Sequence, residues 1–121
     1  MLFDTKEEQD LYVIQTIKNL ICDQTAFNIA ERDKFHSWHE VFGYMHEEIK
    51  ELDAERDQLK SDYVEYESLM MQDADTQHML KALDDIVKTS IQVVQETLHV
   101  AAVALKGREQ LKEKGTCHRP R

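Results

Sequence analysis

The sequence predicts an all-α fold, an antiparallel helical bundle built from one domain. Its 121 residues include only three glycines and one proline, and a helical chain needs few such breakers, whereas a β-protein needs many turns. Apart from Gly43, these four residues lie in the last fifteen positions. Apolar residues recur at helical spacing before them. A chain of this length can bury one substantial core but not two.

The first predicted helix runs from about residue 4 to residue 30. One stripe of apolar residues follows it at helical spacing, and this stripe contains Leu11, Ile14, Ile17 and Ile21. The second helix is predicted to begin at Ser37 and to extend to about Leu59 or beyond. Ser37-Trp38-His39-Glu40 has the S-x-x-E form of a capping box, in which Ser37 and Glu40 satisfy each other's backbone amides.

Residues 60–77 show no clear period, and we predict a short helix followed by a connection. A long helix is then predicted over residues 76–106, with Asp73 or Asp75 as its N-cap and Gly107 as its stop. We expect the helical domain to cover residues 1–108. The basic segment 109–121 is predicted to be a flexible tail.

The length of the last helix predicts self-association. About thirty helical residues span about 45 Å, which exceeds the width of a compact domain of this size. Residues 91–105 are also apolar on nearly all sides of the helix. We therefore expect a homodimer or homotetramer in which a second subunit covers part of this helix.

Charge and composition exclude several classes of function. With 24 acidic and 15 basic residues, the chain has a formal charge of −9, so we expect no binding to nucleic acid. Binding of small phosphorylated ligands is not excluded, because a bound divalent cation reverses the local sign of charge. The two cysteines form no CxxC pair, which favours a cytoplasmic setting. No apolar run predicts a membrane span or a signal peptide, so no membrane partner is expected.

Two positions bring carboxylates towards the predicted core. On a helical wheel, Glu48 lies at the margin of the apolar sector of the second helix, and Glu51 follows it at i+3. Glu96 is the only formal charge between Lys88 and Lys106, and burying it costs several kcal/mol unless it is paired or protonated. A carboxylate at Glu96 therefore needs a partner.

The residues alone leave the nature of that partner open. Glu96 could form a salt bridge with Lys50 or Arg56, or it could belong to a protonated carboxyl pair. Alternatively, Glu48, Glu51 and Glu96 could hold a metal ion, as carboxylates on facing helices do in other bundles. Oxygen ligands select hard cations such as Mg²⁺ or Mn²⁺.

Two blocks of the sequence resemble the MazG-like nucleotide pyrophosphohydrolases, members of the all-α NTP pyrophosphatase group. These enzymes carry E-x-x-E on one helix and E-x-x-D on a later helix, and the acids jointly hold Mg²⁺. Residues 35–52, FHSWHEVFGYMHEEIKEL, are similar to the first block of phage-type members, and residues 96–105, ETLHVAAVAL, to the second. The resemblance extends over residues 5–108 and implies a helical bundle of this type, completed by oligomerisation.

The resemblance implies a set of metal ligands. Glu48 and Glu51 match the first acidic pair, and Glu96 matches the first acid of the second pair. His99 stands where the family has aspartate, and the acidic segment 60–77 between the blocks is longer than in the family. The implied ligands are thus Glu48, Glu51, Glu96 and His99, with Mg²⁺ as the ion and Mn²⁺ as the alternative.

The implied reaction is hydrolysis of a nucleoside triphosphate, expected to be a dNTP, to the monophosphate and pyrophosphate. Glu47 is a candidate base that orients the attacking water, or else a solvated surface residue. Candidates to meet the phosphates are Lys34, Lys81, Lys106 and Arg108. Trp38 could stack on a base, or it could belong to the core.

Two other functions compete with this one. His36, His39 and His46 could suggest a zinc site, but the sequence has no HExxH motif. The stronger alternative is a helical oligomer that keeps the fold and binds a nucleotide or a protein, but has lost turnover because His99 replaces the aspartate.

Overall fold

The computed structural model describes residues 3–114, and this part of the chain contains three α-helices. Helix α1 spans Lys6–Glu31, α2 spans Trp38–Met71 and α3 spans Thr76–Leu111. The described residues contain no strand, which confirms the all-α prediction. Among these helices, none combines the length and hydropathy needed to cross a membrane. Most of the predicted tail, residues 115–121, lies outside the described residues.

Polar side chains cap the first two helices. The Thr5 hydroxyl accepts a hydrogen bond from the Glu8 amide at 3.1 Å and thereby begins α1. At the start of α2, the Ser37 hydroxyl accepts from the Glu40 amide at 3.1 Å, as the capping box predicts. The Glu40 carboxylate accepts in return from the amide of His36, at 3.3 Å, rather than from that of Ser37.

Helix α2 continues to Met71, so no separate short helix forms in residues 60–77, and the predicted connection is confined to residues 72–75. Half-buried positions continue along α2 at a spacing of three or four residues, and they include Leu59, Asp62, Tyr66 and Leu69. One face of the helix is therefore maintained to Met71, although acids and tyrosines occupy the positions between.

A short turn joins α2 to α3. The backbone of Asp73 adopts a left-handed conformation with φ of 52°, and the Ala74 amide donates to the Leu69 carbonyl at 3.0 Å. This pattern is a Schellman ending, in which aspartate is one of the better tolerated substitutes for glycine. Asp75 then begins α3, because its carboxylate accepts from the His78 amide at 2.9 Å.

The chain divides into two compact units, and α2 and α3 each run through both without a break. Within the described residues, the first unit comprises residues 3–45 and 98–114. Its described core consists of Phe35, Val103 and Leu111, against which Trp38, Val41 and Met45 pack. The second unit comprises residues 46–97, and its buried residues are Ala82 and Thr89.

Gly107 lies inside α3, so its predicted role as a helix stop is wrong. A Cβ atom at this position would lie 2.9 Å from each γ-methyl group of Val41. Glycine therefore permits the close packing of α3 on the start of α2, and the helix continues for another turn to Leu111.

Candidate metal centre

Three of the four predicted ligands come together between α2 and α3. One ligand atom from each of Glu48, Glu96 and His99 can be chosen so that all three lie within 4.8 Å of one another. Each side chain is half-buried, and one carboxylate oxygen of each glutamate is closed off from solvent. Among the acidic, histidine and cysteine side chains of the described residues, these three form the group whose spacing suits a metal ion.

The helical register explains why these side chains are half-buried. Glu48 continues the half-buried row of α2 between Met45 and Leu52, where the wheel placed it. Glu96 lies on the corresponding row of α3 after Val93, and His99 follows it by one turn. Two acids and one imidazole thus lie on helices rather than on loops.

The grouping is chemically suited to a divalent cation. Two ligands that bind the same ion at about 2.1 Å lie at most about 4.2 Å apart, and the 4.8 Å limit on these side chains is close to that span. Carboxylate oxygens suit Mg²⁺ and Mn²⁺, whereas an imidazole nitrogen favours borderline ions over Mg²⁺. The donor set therefore fits Mn²⁺ at least as well as Mg²⁺.

The other two predicted acids lie on the exposed side of α2. Glu51 is exposed and does not belong to the group formed by Glu48, Glu96 and His99. Glu47 is also exposed. Metal binding by Glu51 and water orientation by Glu47 stay predictions.

Three of the cations predicted to bind phosphate are exposed, and two of them form ion pairs with neighbours on their own helix. Lys81 forms an ion pair with Asp85 at 3.0 Å, one turn along α3. Arg108 lies 3.4 Å from Glu109, and Lys34 is exposed. Contacts from these residues to phosphates stay predictions.

Lys106 occupies a very different environment. Its side chain is buried, and Nζ donates to the Asn28 side-chain oxygen at 2.7 Å and to the Asp33 carbonyl at 2.8 Å. The ammonium also lies 4.5 Å from the centre of the Phe35 ring. Burial, followed by the nearby charge of Arg32, lowers the pKa of Lys106. The ammonium is therefore engaged with the end of α1 inside the fold.

Trp38 packs against the core of the first unit, which was one of the two interpretations of this residue. Its indole nitrogen is enclosed and has no hydrogen-bond acceptor among the described residues. His36, His39 and His46 are exposed and do not belong to the metal-capable group.

The structure also bears on the ion-pair alternative for Glu96. Arg56 lies 3.4 Å from Asp53, one turn away on α2, and both side chains are largely exposed. Lys50 is exposed as well. The nearby groups that the geometry does bring to Glu96 are Glu48 and His99.

A polar contact between α2 and α3 was not predicted. The Thr89 hydroxyl donates to one Asp62 oxygen at 2.5 Å, and the Gln58 amide donates to the other at 2.9 Å. The hydrogen bond from Thr89 is the largest cause that lowers the pKa of Asp62. Had the second helix been predicted to continue to Met71, Asp62 would have been placed on its inner face, one turn after Leu59.

Comparison of the chain with protein-family models, with curated proteins and with solved structures finds no match.

Proposed function

We propose that this protein is a divalent-metal-dependent nucleoside triphosphate pyrophosphohydrolase with a dNTP as its expected substrate. The observation that carries the proposal is the convergence of Glu48, Glu96 and His99. These side chains come from the two sequence blocks that resemble the MazG-like enzymes. Glu48 is separated from Glu96 and His99 by 48 or more positions along the chain.

The chemistry of the donors supports a hydrolytic reaction. Glu48, Glu96 and His99 would hold the ion, and Glu51 could approach it from the next turn of α2. A divalent ion bound there would neutralise phosphate charge and make a bound water more acidic. In the proposed reaction, the water oxygen bonds to the α-phosphorus, the bond from that phosphorus to the α,β-bridging oxygen breaks, and pyrophosphate leaves.

A matched pair of glutamate variants tests metal binding. Because a ligand that binds only the native state stabilises it, we expect millimolar Mn²⁺ to raise the midpoint of thermal unfolding of the parent chain, and Mg²⁺ to raise it less. Glu96→Gln should remove this effect. Glu65→Gln, on the exposed surface of α2, should retain it. An unfolding midpoint that is indifferent to both ions would contradict the proposal.

The reaction is tested separately by pyrophosphate release. The parent chain and both variants are incubated with each common NTP and dNTP, with Mg²⁺ or Mn²⁺. We expect metal-dependent release that Glu96→Gln abolishes and Glu65→Gln retains. Metal binding without turnover on any nucleotide would instead support the non-catalytic oligomer, in which His99 has cost the site its activity.

A further inference from the structure

The central part of α3 has two apolar faces. Its inner face, within the second unit, consists of buried or half-buried side chains, namely Ala82, Ile86, Thr89 and Val93. About 130° further round the helix lies an outer face of five large apolar side chains that are between 44% and 60% exposed. These residues, which we call the outer stripe, are Leu80, Leu83, Val87, Ile91 and Val94.

The outer stripe has the form of a surface that packs on another helix. Val87, Ile91 and Val94 line an open apolar groove of about 350 Å³, to which Ile86 and Ser90 also contribute. The stripe advances by three or four residues at each step, which is the pattern of a helix seam. Soluble monomers rarely leave such a continuous apolar patch exposed.

The spacing of the stripe is symmetric about Val87. Leu83 and Ile91 lie four residues on either side of it, and Leu80 and Val94 lie seven. An antiparallel copy of α3, related by a twofold axis near Val87, would therefore place Leu80 beside the partner's Val94. A face that maps onto itself in this way suits an isologous contact between two identical chains.

The charges beside the stripe agree with the antiparallel arrangement. Asp84 and Lys88 flank the same side of it, at about 60° and 100° from Val87 on a wheel of about 100° per residue. Both are exposed, and neither forms an ion pair within the described part of the chain. In the antiparallel pair, Asp84 lies about 3 Å along the axis from the partner's Lys88.

The same charges disfavour a parallel pair. In that arrangement, the side of α3 that carries Asp84 meets the opposite side of the partner helix. That side carries Met79 and Ile86 and offers no cation to Asp84.

We propose that the outer stripe binds a second copy of this chain, with the two α3 helices antiparallel and a twofold axis near Val87. Two symmetry-related pairs of Asp84 and Lys88 fix the register of the two helices. This inference uses no metal chemistry, so its outcome is independent of the proposed function.

Cysteine cross-linking tests the position of the axis. Val87→Cys is placed in the full chain with Cys22→Ser and Cys117→Ser, and Gln92→Cys, exposed and away from the stripe, is the matched control. Under mild oxidation, we expect Val87→Cys to form a disulfide-linked dimer at least tenfold faster than Gln92→Cys. Equal rates, or a parent chain that stays at 14.2 kDa at micromolar concentration in light scattering, would overturn the proposal.

Charge reversal tests the antiparallel register. In sedimentation equilibrium, Asp84→Lys and Lys88→Asp should each weaken dimerisation by roughly tenfold, since each disrupts two interchain pairs. The double variant should recover most of the affinity, because it restores opposite charges across the axis. A double variant as weak as the two single effects combined would overturn the assigned register. Far-UV circular dichroism checks that each variant stays helical.

Discussion

Asp62 and Thr89 form a polar contact whose contribution to stability depends on pH. The hydrogen bonds from Thr89 and Gln58 lower the pKa of Asp62 in the folded chain. A carboxylate with a lowered folded-state pKa adds stability above its unfolded value of about 3.9, and this stability is lost as the pH falls through the folded value. The contact therefore favours the native state at neutral pH and not in strong acid.

We predict that Thr89→Val lowers the free energy of unfolding at pH 6 and that the loss shrinks progressively below pH 3.9. Urea unfolding of parent and variant at pH 6 and at pH 3 or below measures this difference. Thr97→Val is the control, because the Thr97 hydroxyl bonds only to the Val93 carbonyl of its own helix, at 2.8 Å. A loss from Thr89→Val that is the same at every pH would show that Asp62 is not its origin.

His99 is the residue at which the proposed metal preference is decided. His99→Asp adds a negative charge where the imidazole stands, so we predict about tenfold tighter binding of Mg²⁺ and higher pyrophosphohydrolase activity on at least one nucleotide. Isothermal titration with Mg²⁺ measures the affinity. His39→Asp, on the exposed side of α2, makes the same change of charge away from the group. If both variants gain the same affinity for Mg²⁺, His99 is not a ligand.

The individual site residues differ in how far the sequence could place them. Glu96 was predicted to be buried with a partner because it is the one charge in a long apolar segment, and the wheel placed Glu48 at the edge of the core. The environment of Lys106 could not be predicted, since its acceptors on Asn28 and Asp33 are more than 70 residues away along the chain. Local patterns do not encode such a contact.

At the scale of the helices, local signals were sufficient where the controlling contact was local. The capping box located the start of α2, and Asp75 was one of two predicted caps for α3. The signals failed where a distant contact decided the outcome. Gly107 was predicted to end the last helix. In the structure it lies within α3, where the absence of a side chain lets the helix pack closely on Val41.

The close packing at Gly107 predicts an unusual response to alanine. Alanine is favoured over glycine in a helix by about 1 kcal/mol, but its Cβ would lie 2.9 Å from both Val41 methyl groups. We therefore predict that Gly107→Ala destabilises the fold by about 1–2 kcal/mol, as measured by urea unfolding. In a Val41→Ala background, the same substitution should become neutral or stabilising. Stabilisation in the parent background would show that the packing is not tight.

At the scale of the whole chain, the described residues bury few large side chains. The buried apolar residues among them are Phe35, Ala82, Ala102, Val103 and Leu111, and α2 contains no buried residue. Twenty large apolar side chains are instead exposed. The sequence showed that residues 91–105 are apolar on nearly all sides of the helix. It did not show which face of α3 is left uncovered.

We predict that stability depends on protein concentration. If a second copy covers the outer stripe, association contributes to the free energy of unfolding by mass action. A hundredfold increase in concentration should then raise the midpoint of thermal unfolding by about 5 °C or more, as measured by calorimetry. Val87→Asp, which places a charge on the twofold axis, should show a smaller dependence. A midpoint that does not change with concentration would indicate that the single chain is the stable unit.

The four-residue turn that contains Asp73 also bears on the order of events during folding. It allows α2 and α3 to meet after closing a short loop, as in the contact of Asp62 with Thr89 across 27 positions. The bond from Lys106 to Asn28 must close 78 positions. Because loop entropy grows with length and local contacts form fastest, we expect the α2–α3 hairpin to assemble first. Helix α1, with Thr25 as its single buried residue, would then dock last and detach first.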